Sequence, residues 1–179
     1  MVDPRTVRTL SFRVGYLLIA FTAAFFYLLP IQVGAGHWPG PDLILSVAFA
    51  WVLRRPDYVP VFLFAPVMLI ADFIFLRPPG LWTLLSVLGL EFLRGRETTS
   101  RDMSFAMEWM MVGGVMLAMG LLYRLVLAVF MVDQTSLGLA LMAQLSTLLS
   151  YPLVVLVSRY LLGMTKISPS EADEMRYAR

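Results

Sequence analysis

The chain has 179 residues, 59% of them hydrophobic, with a net charge of +2 and no cysteine. Its mean hydropathy of +0.78 lies above that of soluble domains, which are about half apolar. The missing cysteines exclude disulfides and thiolate chemistry, and basic residues gathered mostly at the ends of apolar runs point to anionic lipid headgroups rather than nucleic acid.

Six apolar stretches follow one another, joined by connections too short for a second domain. The first, 14–34, predicts a helix bent near its end by Pro30. It is longer than a secretory core, so Val33-Gly34-Ala35 reads as part of a retained signal anchor, not a cleavage site. The second, 41–53, spans only about 20 Å against a hydrocarbon core of about 30 Å. It must thin the bilayer or be shielded by its neighbours. After the Arg54-Arg55-Pro56 turn come a helix over 60–76, interrupted by Pro66, and a short one over 81–94. The fifth, 105–132, is Met-rich with small residues at Gly113, Gly114, Ala118 and Gly120; the sixth, 137–162, carries Gln144, Ser146, Ser150 and Pro152. In the polar tail, Ser168-Pro169-Ser170-Glu171 predicts a short helix over about 169–177.

Charge orders these stretches across a membrane. Arg5, Arg8 and Arg13 precede the first, Arg54 and Arg55 follow the second, and Arg94, Arg96 and Arg101 follow the fourth. Lys166, Arg176 and Arg179 follow the sixth, whereas 35–40 and 132–136 hold no Lys or Arg and 77–79 holds only Arg77. Cytoplasmic loops accumulate such charge. The expectation is an all-α integral membrane protein, a single six-helix transmembrane bundle with both termini cytoplasmic. Residues 1–13 form its N-terminal segment, 14–162 the transmembrane domain and 163–179 the tail.

Ionisable residues inside a membrane mark a site by default. Asp72 and Arg124 both fall in the outer half, which predicts an ion pair between them, the alternative being that Arg124 snorkels outward; Glu91 is expected to meet Arg94 one turn on, or Arg54 and Arg55. Structural pairing is favoured over a proton or substrate path, because no chain of titratable groups lines a route. Glu108 reads as an acid complementing its helix dipole, and His37 beside Trp38 as an interface anchor. A lone His without Cys gives no metal site, no cofactor motif is present, and the serines of the sixth stretch lack a base. The pairs Ala20/Ala24 and Gly114/Ala118 permit close helix approach, within the bundle or to a partner.

From Pro41 to Arg94 the chain resembles the MreD family of bacterial rod-shape-determining membrane proteins. The resemblance is carried by PDLILSVAFAWVLRRPDYVP, by LIADFIFLRPPGLW, and by a short helix ending EFLR. Its turn motifs are Arg55-Pro56-Asp57 and, after Asp72, Gly80-Leu81. The doubled Pro78-Pro79 departs from the Gly/Ser-type turn of many relatives. The resemblance implies a noncatalytic scaffold of the wall-elongation machinery in the bacterial inner membrane. Its partners would be the bitopic protein MreC and, through it, MreB filaments, RodA and a class B penicillin-binding protein, with homo-oligomerisation left open. The family is also similar in fold to the substrate-binding subunits of energy-coupling-factor vitamin transporters. The alternative is therefore a substrate-capturing subunit with a pocket built from Gln32, Asp42, Asp72 and Gln144.

Overall fold

A computed structural model describes residues 4–29, 39–101, 103–160 and 162–163. Over these the chain is all helical. Its elements are α1 (Pro4–Leu28), α2 (Leu43–Val52), a 3-10 turn (Pro56–Tyr58), α3 (Val61–Ile74), α4 (Leu81–Gly95), α5 (Glu97–Ser100), α6 (Phe105–Val129) and α7 (Leu137–Tyr160). The described α-helices thus number seven rather than six; the addition is α5, a single turn in the connection before α6. Among the described residues three segments, Thr6–Leu28, Phe105–Val129 and Leu137–Tyr160, are long and apolar enough to cross a membrane.

The short helix α2 is the centre of the molecule. Every residue from Ile44 to Val52 is buried, including Phe49 and Trp51. A helix apolar on all sides can be stable only where neighbours cover it all round, and here α1, α4, α7 and the 3-10 turn do so. Of the two outcomes its length allowed, shielding is the one realised. Around it α1 packs on α3, α3 on α4, α4 on α6 and α6 on α7. Gly89 on α4 makes the crossing with α6 and α2 possible, because a Cβ there would lie 2.8 Å from Met119 Sδ and 3.1 Å from the Phe49 ring.

The expected boundaries shift most at the N-terminus. α1 starts at Pro4 and runs without a break through Arg13, so residues 4–13 belong to the helix expected to begin at 14. Arginine is a good helix former, and these side chains find partners along the helix flanks. Arg8 lies over the Phe12 ring, and Arg13 donates from Nε and Nη2 to the Asp57 carbonyl. α3 and α7 continue through Pro66 and Pro152, each losing one intrahelical hydrogen bond rather than ending. Pro30, Gln32, Val33-Gly34-Ala35, His37, Trp38 and the tail helix expected over 169–177 lie outside the described residues.

Candidate functional site

The ionisable side chains within the bundle gather at its two ends, and each gathering sits where a short helix starts or stops. The first four N–H and last four C=O groups of a helix have no partner inside it. In a short helix buried among apolar neighbours those groups must be met by side chains.

At the end where α2 stops and α6 begins, Arg54 forms a buried ion pair with Glu108. Arg54 Nη1 lies 3.0 Å from Glu108 Oε1, and the two side chains are 6% and 1% exposed. The same nitrogen donates to the Ala50 carbonyl in the last turn of α2. From α7, Tyr151 Oη donates to Glu108 Oε1 at 2.7 Å. This triad ties α2, α6 and α7 together through one carboxylate oxygen. Trp51 Nε1 adds a second α2–α7 tie by donating to Ser158 Oγ at 3.0 Å.

Around the triad the turn Arg55-Pro56-Asp57 is held from both sides. Arg13 of α1 donates to the Asp57 carbonyl, and Arg94 of α4 donates to the Val59 carbonyl at 2.7 Å. Arg94 Nε also lies 3.1 Å from Glu91, one turn earlier on α4 and half-exposed. Glu91 therefore takes the local partner, not Arg54 or Arg55 across the loop. Arg54 is already engaged by Glu108.

At the opposite end Asp72, fully buried, caps α4 from the last turn of α3. Its Oδ2 accepts from Gly80 N–H at 3.0 Å, Thr83 N–H at 3.2 Å and Thr83 Oγ1 at 2.8 Å. The N-cap position of α4 is Gly80 in the left-handed region, φ 88°. Glycine adopts this turn freely but brings no side-chain acceptor, so the preceding helix supplies one. Nearby, Asp42 caps α2 through Leu45 N–H and pairs with Arg77 at 3.2 Å. Arg77 is stacked against the rings of Phe75 and Trp82.

The expected Asp72–Arg124 pair does not form. Tyr123 turns toward α4 and meets Trp82 edge to face at 5.3 Å. Successive helix residues point about 100° apart, so Arg124 is aimed away from the α4 start that Asp72 occupies. Arg124 Nη1 instead donates to the Thr135 carbonyl, and Gln134 Nε2 donates back to the Arg124 carbonyl, closing the α6–α7 connection. Nor is Glu108 simply an acid for the helix dipole, since it is the buried hub of the triad. Depth could have revealed this: Glu108 lies one turn into α6, at the end of the bundle where α2 delivers Arg54.

The small-residue pairs separate. Ala20 is buried in the core and Ala24 half-buried on α1, so Ala20 serves packing inside the bundle and offers no external surface. Gly114 and Ala118 are exposed on α6, with open space where a Gly114 Cβ would stand. The hydroxyls of α7 bond locally or across to α2: Ser146 to the Met142 carbonyl, Ser150 to the Thr147 carbonyl and Ser46 Oγ. Gln144 crosses Gly120 to donate to the Met116 carbonyl at 3.0 Å. Among the described residues no group of three His, Cys, Asp or Glu is placed to hold a metal ion.

Chemically, these groups act as helix clamps. Their carboxylates accept from helix N-termini or from Arg54 and Arg77, and the arginines donate to carbonyls at helix C-termini and turns. No family model, curated protein or solved structure matches the chain.

Proposed function

We propose that the protein is a noncatalytic, multi-pass scaffold of the bacterial inner membrane, of the MreD type that its central third resembles. In this reading all six helices of ten or more residues cross the membrane, with the basic end that holds Arg13, Arg54 and Arg94 in the cytoplasm. The scaffold binds the transmembrane helix of an MreC-type bitopic protein. Through it the scaffold helps position the RodA and class B penicillin-binding-protein synthesis pair relative to MreB filaments, and so maintains rod shape.

The observation that carries the reading is the way the interior ionisable groups are used. Asp42, Asp72, Arg54, Glu108 and Arg77 are bonded to helix ends and to one another. A transport subunit would need Asp42, Asp72 and Gln144 turned toward a ligand. Here Asp42 and Asp72 cap α2 and α4, and Gln144 is bonded to the backbone of α6. What the bundle offers outward is apolar helix face. On α6 that face includes Met110, Gly114, Leu117, Ala118 and Leu121, all exposed, and its small residues permit close approach of a partner helix.

Affinity purification of the tagged chain from native membranes in mild detergent tests the proposal. The expected result is co-purification of an MreC-type protein with RodA and its penicillin-binding partner, lost when Gly114 is replaced by Leu. Recovery of a transmembrane coupling subunit with paired ATPases would instead establish the transport alternative.

A further inference from the structure

The outward faces of the bundle differ in height. Exposed apolar side chains run from Phe105 to Met131 on and just past α6, and from Leu137 to Val157 on α7. At 1.5 Å per residue these bands are about 39 and about 30 Å tall. The α3–α4 face is much lower. On α3 its apolar band runs from Phe62 through Ile70 and Phe73 to Leu76, about 21 Å. On α4 it consists of Leu84, Leu88 and Phe92, the last directly beside Glu91, whose side chain is 45% exposed and paired with Arg94.

Charge bounds this band on both sides. Arg13, Asp57, Glu91 and Arg94 stand at one margin, and Arg77, paired with Asp42, at the other. A hydrocarbon core of about 30 Å cannot lie flush against a face about 21 Å tall between two charged belts. Either the charges enter hydrocarbon or the bilayer thins. Leu76 is 93% exposed with φ +52°. It is an apolar side chain held in a left-handed conformation at the very margin, which extends the band to its limit before Arg77.

We propose that the α3–α4 face is a contact surface for a locally thinned bilayer, selecting short-chain lipids, while α6 and α7 meet bilayer of ordinary thickness. The protein would then sort lipids around itself by chain length. This rests on the membrane placement proposed above but is independent of the scaffold role.

The test reconstitutes the purified chain in phosphatidylcholine vesicles whose monounsaturated chains range from about 14 to about 22 carbons. Thermal unfolding is followed by tryptophan fluorescence, and integration is checked by alkaline extraction. The expected melting temperature is highest near 14–16 carbons, roughly, and falls as the chains lengthen. Glu91→Leu, which extends the α4 band, should move that optimum toward longer chains while leaving the melt in detergent nearly unchanged. A flat profile, or an optimum at the longest chains, overturns the proposal. An optimum that Glu91→Leu leaves in place overturns its assignment to this face. Failure of the wild-type chain to resist alkaline extraction would sink the membrane placement itself, which separates the two failures.

Discussion

Removing the Glu108 carboxylate should be among the most damaging single changes in this chain. Two unit charges 3.0 Å apart interact by about 5.5 kcal/mol at an effective dielectric of about 20. Part of that offsets the cost of taking both groups out of water. In Glu108→Ala the desolvation of Arg54 remains while its counter-charge is gone, and breaking buried pairs in this way costs about 3–5 kcal/mol. Tyr151→Phe deletes only the 2.7 Å hydrogen bond to the carboxylate, about 1.5–3 kcal/mol for a bond to a charged acceptor. The double replacement Arg54→Met with Glu108→Met removes both charges and fills the space, and should lie within about 2 kcal/mol of wild type.

Thermal unfolding in detergent, read by tryptophan fluorescence, measures these variants, the single changes Arg54→Met and Glu108→Met, and wild type. On the scale of soluble domains of this size, 3–5 kcal/mol corresponds to a fall of roughly 6–20 °C. The decisive quantity is the coupling. If the double variant is as unstable as the sum of its singles, within about 0.5 kcal/mol, Arg54 and Glu108 do not act as a unit and the reasoning fails.

Asp72→Ala should destabilise by about 1–3 kcal/mol through loss of the α4 cap. Its effect should add to that of Arg124→Ala within about 0.5 kcal/mol, and a larger coupling would restore the pair that the geometry rejects. Gly89→Ala should lower stability by about 1–2 kcal/mol, since overpacking against Met119, Phe49 and Val115 outweighs the better helix propensity. Gly114→Ala, with open space around it, should be neutral or stabilising by up to about 1 kcal/mol; equal losses at both positions would contradict the packing. Gly120→Ala should displace the Gln144 amide and weaken its bond to Met116 by about 0.6–2 kcal/mol. In a Gln144→Ala background the same change should be harmless, a contrast read by the same melting assay.

Much of the helix layout was legible because apolar runs and their Pro/Gly punctuation act locally. α3, α4 and α7 lie within one to two residues of the expected spans over most of their ends. The start of α1 was not, because basic residues read as the limit of a helix that in fact runs through Arg8 and Arg13. The Glu91–Arg94 contact was legible too, being one turn of a single helix. Depth alone suggested Asp72 with Arg124, yet depth does not carry azimuth, and the direction of Arg124 depends on which side of α6 packs against α4. The Asp72 cap had a signal that composition does not display: Gly80 opens α4 without a side-chain acceptor of its own. The Arg54–Glu108–Tyr151 triad joins three helices far apart in the chain, and only the central position of α2 brings them together.

The interior charges and the short helices are one feature. A helix that crosses the full hydrocarbon core leaves its unpaired N–H and C=O groups near water, where no side chain need serve them. α2 has ten residues and α4 fifteen, so their ends fall inside the apolar zone of a bundle whose α6 has twenty-five. Asp42 and Asp72 meet the N-termini of these two helices. Arg54 meets a terminal carbonyl of α2, and Arg94, itself in the last turn of α4, reaches the turn that leads into α3. Each then requires a counter-charge or donor set, which brings in Arg77, Glu108, Thr83 and Glu91. On this account a charged residue deep in the chain marks where a helix stops short, and its loss should disorder that helix end before it alters any binding event. Hydrogen exchange would separate the two. Asp72→Ala should raise exchange at the first turn of α4, Gly80 to Leu84, while leaving α6 and α7 protected; uniform protection across α4 would argue that the carboxylate is there for something other than the helix.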